Sequence, residues 1–240
     1  MASSVIPIAE APRLAVTKDR ILDTAEALFL EHGFEATSLR SITATAAVNL
    51  AAVNYHFGSK EELFQAVLTR RLDPMNQKRV DLLTRFEREV APKPLPCDRI
   101  LAAMFIPALE LARDPERGGK NFLRLLGRAY ADPAPFIRRF LAAQYAVMIT
   151  RFKAAFARAL PELPKKELLW RLHFIMGALS YTLAGTDALR LIAELTPAEN
   201  ANDEQLLHRL APFLLAGLQS PVPDLSGSGR VQDRASGLPR

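Results

Sequence analysis

Four polar side chains with the hydrogen-bonding groups needed to read a nucleic acid lie in one short stretch, VNLAAVNYHFGSKEEL, at residues 48–63. Asn49 and Asn54 each carry an amide, which donates and accepts hydrogen bonds as base edges do. Tyr55 and His56 can reach phosphates or a thymine methyl group. Two alanines between them would let the backbone come close to a partner. This composition predicts contact with the floor of a DNA groove.

The elements that must position these side chains are short helices. Apolar spacing, caps and breakers predict helices over 17–33, 38–47 and 50–56. Ser59 and Glu62 form a capping-box pattern that predicts a fourth helix. Two short helices joined by a tight turn and supported by a longer one have the geometry of a helix-turn-helix.

Two interpretations fit this pattern from the residues alone. A compact three-helix unit with a polar surface and no nucleic-acid partner is one of them. In the other, Val48, Val53 and Phe57 bury one side of the third helix, and the opposite side contacts DNA. The candidate DNA-binding residues are Thr37, Ser38, Arg40, Asn49, Leu50, Ala51, Ala52, Asn54, Tyr55, His56 and Lys60.

The net charge of +5 does not locate such a surface. Residues 1–60 contain five Lys and Arg against six Asp and Glu, and residues 61–90 contain six of each. The excess of positive charge lies in residues 91–240, with twenty against fourteen. A nucleic-acid interface must therefore depend on local geometry rather than on bulk charge.

The rest of the chain also reads as helical. A helix that begins at Ser59 is expected to break or kink at Pro74 and to continue to about Val90. The segment APKPLP interrupts the pattern, and Asp132-Pro133 and Leu163-Pro164 mark helix starts. The further helices are predicted over 98–113, 119–131, 134–160, 165–185 and 203–218. The fold class is therefore all-α, and both ends of the chain lack periodicity.

One long stretch carries a family resemblance. ILDTAEALFLEHGFEATSLRSITATAAVNLAAVNYHFGSKEELFQAVL, residues 21–68, resembles the DNA-binding domain of TetR-family transcriptional repressors over its whole length. The specific motif is a helix ending in Gly-Phe, then Thr-Ser, then Val-Asn, then Tyr-His-Phe-Gly-Ser-Lys-Glu-x-Leu. The form VNLAAVNYHFGSK resembles most the PsrA-type repressors, which respond to fatty acyl compounds.

The resemblance implies a division of the chain and a set of partners. An N-terminal helix-turn-helix domain would be followed by a helical-bundle domain that binds a small effector and dimerises. The expected divisions are a flexible arm at 1–16, the DNA-binding domain at 17–62, the ligand-binding and dimerisation domain at 63–219 and a disordered tail at 220–240. The implied partners are a double-stranded DNA operator, a small apolar or amphipathic effector, for which a fatty acid or acyl-CoA is a candidate, and a second copy of the chain.

Aromatic and flexible side chains at helical spacing in the second domain could line an apolar cavity. Ordinary core packing is the stronger explanation for each of them taken singly, and the cavity is a hypothesis about the set. Arg124 or Arg128 could anchor a carboxylate or phosphate, although a solvated basic face is the alternative. His173 is expected to be a hydrogen-bonded core residue. The candidate ligand-binding residues are Met104, Phe105, Phe122, Arg124, Leu126, Arg128, Tyr130, Phe140, Tyr145, Met148, Phe152 and His173.

The helices near 165–185 and 203–218 carry apolar residues on more than one side. A helix needs such a surface when it packs on its own core and on a partner subunit. We therefore expect a two-fold homodimer through these helices, with two recognition helices at successive major grooves.

Other classes of protein are poorly supported. The sequence has no Gly-x-Ser-x-Gly elbow, no phosphate-binding glycine loop and no His-Glu-x-x-His helix, so an enzyme is not expected. Its four histidines lack metal-ligand spacing, and Cys97 is its only cysteine, so neither a metal nor a cofactor is expected. No apolar run reaches the roughly 18 residues of a membrane span, and a cytoplasmic location is expected. An activator or a ligand-independent DNA-binding protein remains an alternative.

Overall fold

The computed structural model describes residues 10–114, 119–131, 134–183 and 203–223, and these ranges contain ten α-helices and no β-strand. The helices are α1 (Glu10–Ala36), α2 (Leu39–Thr45), α3 (Leu50–Phe57), α4 (Lys60–Val90), α5 (Cys97–Ala112), α6 (Gly119–Ala131), α7 (Pro135–Gln144), α8 (Ala146–Ala159), α9 (Lys165–Leu183) and α10 (Asp203–Gln219). The all-α fold class is confirmed.

Helix α1 differs from the prediction at its start. It begins at Glu10, so the expected start near Thr17 is wrong and the second half of the expected flexible arm is helical. Residues 1–9 lie outside the described residues. Gly33 has φ 79° and ψ 174° near the other end, a conformation that favours glycine, and it turns the chain where the sequence predicts a helix end.

Helix α4 runs unbroken through Pro74 to Val90, so a break at Pro74 is wrong and the predicted continuation to about Val90 is confirmed. A proline inside a helix removes one backbone hydrogen bond and crowds the preceding turn. Here Leu72 and Met75, on either side of the proline, are both buried in the core. Their packing holds the helix together across the lost bond.

The predicted helix over 134–160 is two helices, α7 and α8, and this prediction is also wrong. They meet at Tyr145, whose backbone has φ −111° and ψ 14°. Its ring is buried, and its hydroxyl donates a hydrogen bond of 3.0 Å to Asp73 Oδ1 on α4. No glycine or proline marks the junction, so only these tertiary contacts locate the change of direction.

The beginning of the expected disordered tail is held in place. The Arg171 guanidinium on α9 donates to the carbonyls of Leu218, Ser220 and Pro221 at 2.7, 2.8 and 3.3 Å. Its Nε donates to Glu167 Oε1 at 2.9 Å. Arg171 therefore fixes the end of α10 against α9, and disorder from Ser220 onward is wrong for the residues it binds. Residues 184–202 and 224–240 lie outside the described residues.

Two apolar cores share helix α4. One core contains residues of its first half together with residues of α1, α2, α3, α5, α6 and α7, and the other contains residues of its second half together with residues of α5, α8, α9 and α10. The boundary expected between residues 62 and 63 falls inside this continuous helix. Phe136 on α7 lies against Phe34 and Phe64, with ring centroids 4.9 and 6.3 Å apart. The three-helix unit is therefore packed directly onto the helices that follow it.

A buried ion cluster joins α1 to α4. Glu26 is 4% exposed, and its carboxylate accepts hydrogen bonds from Arg70 and from Arg71, the latter at 2.8 and 3.1 Å. Arg70 also donates to Asp23 at 2.6 Å. Burial alone would lower the pKa of Arg70, but its hydrogen bonds to Glu26 and Asp23 raise the pKa above its usual value. The cluster fixes how α1 crosses the first half of α4.

We predict that Glu26→Ala lowers the free energy of unfolding by about 3 kcal/mol or more, because it leaves two arginines without their buried partner. Urea denaturation followed by circular dichroism would measure this. Glu31→Ala, at an exposed position of the same helix, is the matched control and should change stability by less than about 0.5 kcal/mol. Equal stability of the two variants would contradict the prediction.

Candidate functional site

A tight turn sets the angle between α2 and α3. Val48 donates its backbone N–H to the Thr43 carbonyl at 3.1 Å, and Ala47 donates to Ala44 at 3.3 Å. This is the bonding of a Schellman cap, in which the residue after the helix adopts a positive φ. Ala47 occupies that position with φ 50° although it is not glycine. The turn presents α3 as the outermost of the three helices.

Helix α3 has one buried and one exposed face. Val53 and Phe57 are buried, and Val48 packs partly against the same core, as the sequence predicts. The opposite face carries Leu50, Ala51, Asn54 and Tyr55, all of them exposed. Two large apolar side chains on this face stay in solvent, since Leu50 is 49% and Tyr55 is 67% exposed. Such a face is typical of a surface that a partner covers.

Asn49 has a structural role that the sequence reasoning missed. Its side-chain oxygen accepts the backbone N–H of Ala52 at 2.8 Å and so caps the N-terminus of α3. The amide NH₂ group remains as a donor, which suits a phosphate better than a base edge. The signal was available, because asparagine before a helical segment is a favoured N-cap.

Thr37 does not belong to the exposed face, and its candidacy is corrected. It is buried, and its Oγ1 lies 2.7 Å from the Gly33 carbonyl and 3.2 Å from the Leu28 carbonyl. The hydroxyl hydrogen is thus committed to the end of α1. Ser38 is exposed and caps α2 through a capping box with Ser41. Its hydroxyl is the one that remains near the surface.

The remaining candidates lie on α3 itself and on the helices next to it. Arg40 is exposed on α2, His56 and Ala52 are half-buried, and the Lys60 ammonium lies 4.2 Å from the centre of the Phe34 ring. Lys60 also donates to the Glu35 carbonyl at 3.4 Å, so it packs back onto α1. The N-terminus of α4 carries its own carboxylate, because Ser59 Oγ donates to Glu62 at 3.1 Å. That carboxylate disfavours phosphate binding at this helix start.

A second feature is an apolar cavity of about 360 Å³ among α4, α5, α6, α7, α8 and α9. Seven of the twelve candidate ligand-binding residues line it, namely Met104, Leu126, Tyr130, Tyr145, Met148, Phe152 and His173. The exposed side chains of Ile149 and Leu169 in its wall place the opening between α8 and α9.

Four other candidates lie away from this cavity. Phe122 is fully buried in the core, Phe140 packs partly against that core, and Arg124 is exposed to solvent. Phe105 instead lines a second apolar cavity, of about 400 Å³, between α5 and α10. These four residues are not among those that line the first cavity, because helical spacing does not say which neighbour a side chain meets. The Arg128 side chain lies outside the described part of the structure.

His173 is not the core histidine that the sequence predicts. Its side chain is exposed at the wall of the cavity, and its ring contacts Trp170 and Phe174, with centroids 5.9 and 6.0 Å away. The apolar run around it suggested burial, but part of that run forms an outer face of α9. The histidine therefore stands where the cavity meets solvent.

Three polar side chains face the cavity from its inner helices. Arg79 on α4 donates through Nε to the Met104 carbonyl and through Nη1 to Asn76 Oδ1, both at 2.9 Å. Burial lowers the pKa of Arg79 below that of a free guanidinium, and burial raises the pKa of Tyr130 above its usual value. The pKa of Tyr145 is raised by burial and by its hydrogen bond to Asp73. Both tyrosines stay protonated at neutral pH.

Sequence reasoning missed Arg79, although a signal was present. Arg79 falls in the core-facing stripe of α4, whose other members Leu72, Met75, Leu83 and Phe86 are buried. Long charged side chains rarely occupy such positions unless they are paired or functional. An arginine within an apolar stripe is therefore worth singling out.

Two segments of the chain match family models. Residues 21–67 match the model described as bacterial regulatory proteins, tetR family, and residues 102–217 match the tetracyclin repressor-like C-terminal domain. The chain belongs to the TetR family. Membership in this family of transcriptional regulators confirms the prediction that the chain is not an enzyme.

Similarity to individual curated relatives is confined to part of their length. The chain is 34% identical over 103 residues to the HTH-type transcriptional repressor BepR of Brucella suis, covering 43% of this chain and 46% of BepR. It is 38% identical over 52 residues to the HTH-type transcriptional regulator UidR of Escherichia coli, covering 22% of this chain and 26% of UidR. The chain thus matches about half of BepR and a quarter of UidR.

Solved structures share the fold over most of the chain. Mycobacterium smegmatis AmtR superposes with a TM-score of 0.54 at 18% identity, over 93% of this chain and 96% of AmtR. SmeT, in its complex with triclosan, superposes with a TM-score of 0.57 at 22% identity, over 87% of this chain and all of SmeT. At these identities the likeness concerns the TetR fold alone. Within the described residues, no helix is long and apolar enough to cross a membrane.

Proposed function

We propose that this TetR-family chain is a homodimeric transcriptional repressor that binds operator DNA through α3 and is released by a small apolar or amphipathic effector. The observation that carries the proposal is the exposed face of α3. It presents Leu50, Asn54 and Tyr55 outward on a helix whose other face is anchored by two buried side chains.

The chemistry of that face suits a major groove. The Asn54 amide can pair with adenine in two hydrogen bonds, and the Leu50 side chain can contact a thymine methyl group. Tyr55 and the Asn49 amide can donate to phosphates on either side. Helix α3 itself carries no carboxylate that would repel the DNA backbone. Ala51 beside Asn54 leaves room for close approach.

We predict that Asn54→Ala lowers operator affinity by about 1–3 kcal/mol with no change in the circular dichroism spectrum. Fluorescence anisotropy on the DNA just upstream of the gene for this chain, repeated at several salt concentrations, would measure it. Asn121→Ala, at an exposed position on α6, is the matched control and should bind like the wild type. Equal affinity of all three proteins would remove Asn54 from the interface, and no saturable binding by the wild type would argue against this operator.

The proposed dimer uses an apolar outer face of α9 and α10. Trp170, Phe174 and Tyr181 recur along one side of α9 and are 51%, 63% and 53% exposed. Phe213 on α10 is 70% exposed. Arg171 ties the two helices together beside this face. Large exposed aromatic side chains grouped in this way are typical of a buried interface.

We predict that Trp170→Asp shifts the dimer toward monomer. It should weaken the free energy of dimerisation by about 2 kcal/mol or more, because it places a charge at an aromatic contact. Size-exclusion chromatography with light scattering over a range of concentrations would measure this. Val147→Asp is the matched control, since Val147 is 84% exposed on α8, away from the proposed face. A Trp170→Asp protein that remains as dimeric as the control would refute this interface.

The effector is proposed to occupy the cavity among α4–α9. Its volume of about 360 Å³ is near the lower end of the range for small-molecule pockets, about 300–1,000 Å³. The cavity could take the acyl chain of a fatty acid, whereas the nucleotide part of an acyl-CoA would have to lie outside it. The apolar lining favours a ligand-responsive regulator over a ligand-independent one.

Tyr145 and α7 offer a physical link between the cavity and α3. Tyr145 lines the cavity and bonds Asp73 on α4, while Phe136 at the other end of α7 packs against Phe34 and Phe64. An effector that displaces Tyr145 would move α7 and α4 relative to the three-helix unit formed by α1, α2 and α3. Such an effector shifts the chain toward a state whose two recognition helices no longer match the operator.

We predict that Tyr145→Phe weakens this coupling by about fivefold, the worth of one hydrogen bond of about 1 kcal/mol. The measurement is the ratio of operator affinities with and without a long-chain fatty acid, repeated with its acyl-CoA, by fluorescence anisotropy. Thr150→Val, the control, removes a hydroxyl at an exposed position of α8 that is not among the residues lining the cavity, and it should leave the ratio unchanged. If Tyr145→Phe behaves like that control while still binding the fatty acid, the proposed link is wrong.

A further inference from the structure

We propose that Arg79 makes the cavity selective for an effector with an anionic head group, such as a carboxylate on an apolar body. The inference rests on the proposed function, because it assumes that the effector occupies the cavity among α4–α9. To the proposed function it adds the charge of the effector and the residue that binds the charged group.

The first observation is that the Arg79 charge has no anionic partner among the residues that the structure describes. Its two hydrogen-bond acceptors are a backbone carbonyl and the neutral amide oxygen of Asn76. In the described part of the chain, no carboxylate lies within 4.0 Å of its guanidinium, whereas Arg70, Arg71 and Arg171 each pair with one. A guanidinium has five N–H donors, so donors remain after these two bonds.

The second observation is that the unmatched charge stands in a mostly apolar wall. Arg79 lines the cavity beside Met104, Leu126 and Tyr130. Its pKa is lowered because burial removes water from the guanidinium. A partly desolvated cation of this kind interacts strongly with an anion that reaches it. Its planar fork fits the two oxygens of a carboxylate.

The third observation concerns the other polar groups of the cavity. Tyr130 is raised in pKa by burial and remains a hydroxyl that can donate beside Arg79. The Tyr145 hydroxyl is already committed to Asp73. Lys153 also lines the cavity, but its side chain is exposed, so water screens its charge. The inner end of the cavity therefore offers donors and positive charge, and Arg79 rather than Lys153 would hold the anion.

The test compares three probes with the same alkyl chain and different head groups: decanoate, decanol and decylamine. Isothermal titration of the full-length protein should give tighter binding of decanoate than of decanol or decylamine. Arg79→Met should weaken decanoate binding by about 10- to 100-fold while leaving decanol binding unchanged. Arg79→Lys should keep part of the preference. Arg88→Met, the matched control at an exposed position of the same helix and not in the cavity lining, should keep all of it.

Three results would overturn the proposal: decanol binding as tightly as decanoate to the wild type, failure of decanoate to bind, or loss of decanoate and decanol together in a folded Arg79→Met protein. The wild-type comparison decides the matter even if that variant unfolds. Operator release, measured by anisotropy on the same samples, separates the two proposals. Selective decanoate binding without release would leave Arg79 as the anion site and contradict the repressor. Operator release by decanol but not by decanoate would support the repressor and contradict Arg79 as the anion site.

Discussion

Helix α4 has to serve two structures at once, and the ion cluster at its start makes that possible. Glu26 on α1 accepts hydrogen bonds from Arg70 and Arg71 on α4. The three-helix unit is therefore fixed to a helix that also contributes to the wall of the cavity. The carboxylate is nearly buried, and such a group is tolerated only when its hydrogen bonds are satisfied. Any movement of α4 is therefore transmitted to α1 and to the two short helices packed on it.

The contrast among the arginines of this chain follows from the same physics. Three arginines that are partly or fully buried each pair with a carboxylate, namely Arg70, Arg71 and Arg171. Arg171 also donates hydrogen bonds to backbone carbonyl groups. They hold helices together. Arg79 is held by neutral acceptors and faces the cavity, so its charge has no carboxylate partner among the residues that the structure describes. Pairing thus divides arginines that stabilise the fold from one that is suited to bind a ligand.

The three-helix unit and the cavity are linked through packing rather than through a single rigid rod. Phe136 meets Phe34 and Phe64 at one end of α7, and Tyr145 meets Asp73 at the other. Aromatic packing and a hydrogen bond are each either made or broken, and they switch between these two states more readily than they deform continuously. The break between α7 and α8 therefore sits at a position suited to the coupling proposed above.

The sequence by itself determined the local elements and the family. Capping residues and apolar spacing placed α2 and α3 closely, since these features act within a few residues. The alternation of buried Val53 and Phe57 with exposed Asn54 and Tyr55 was likewise readable from spacing. Tertiary structure decided what depends on contacts between distant segments: the commitment of the Thr37 hydroxyl to α1, the continuity of α4 through Pro74, and the break at Tyr145. It also decided which apolar side chains line the cavity, because helical periodicity fixes a face but not the neighbour that the face meets.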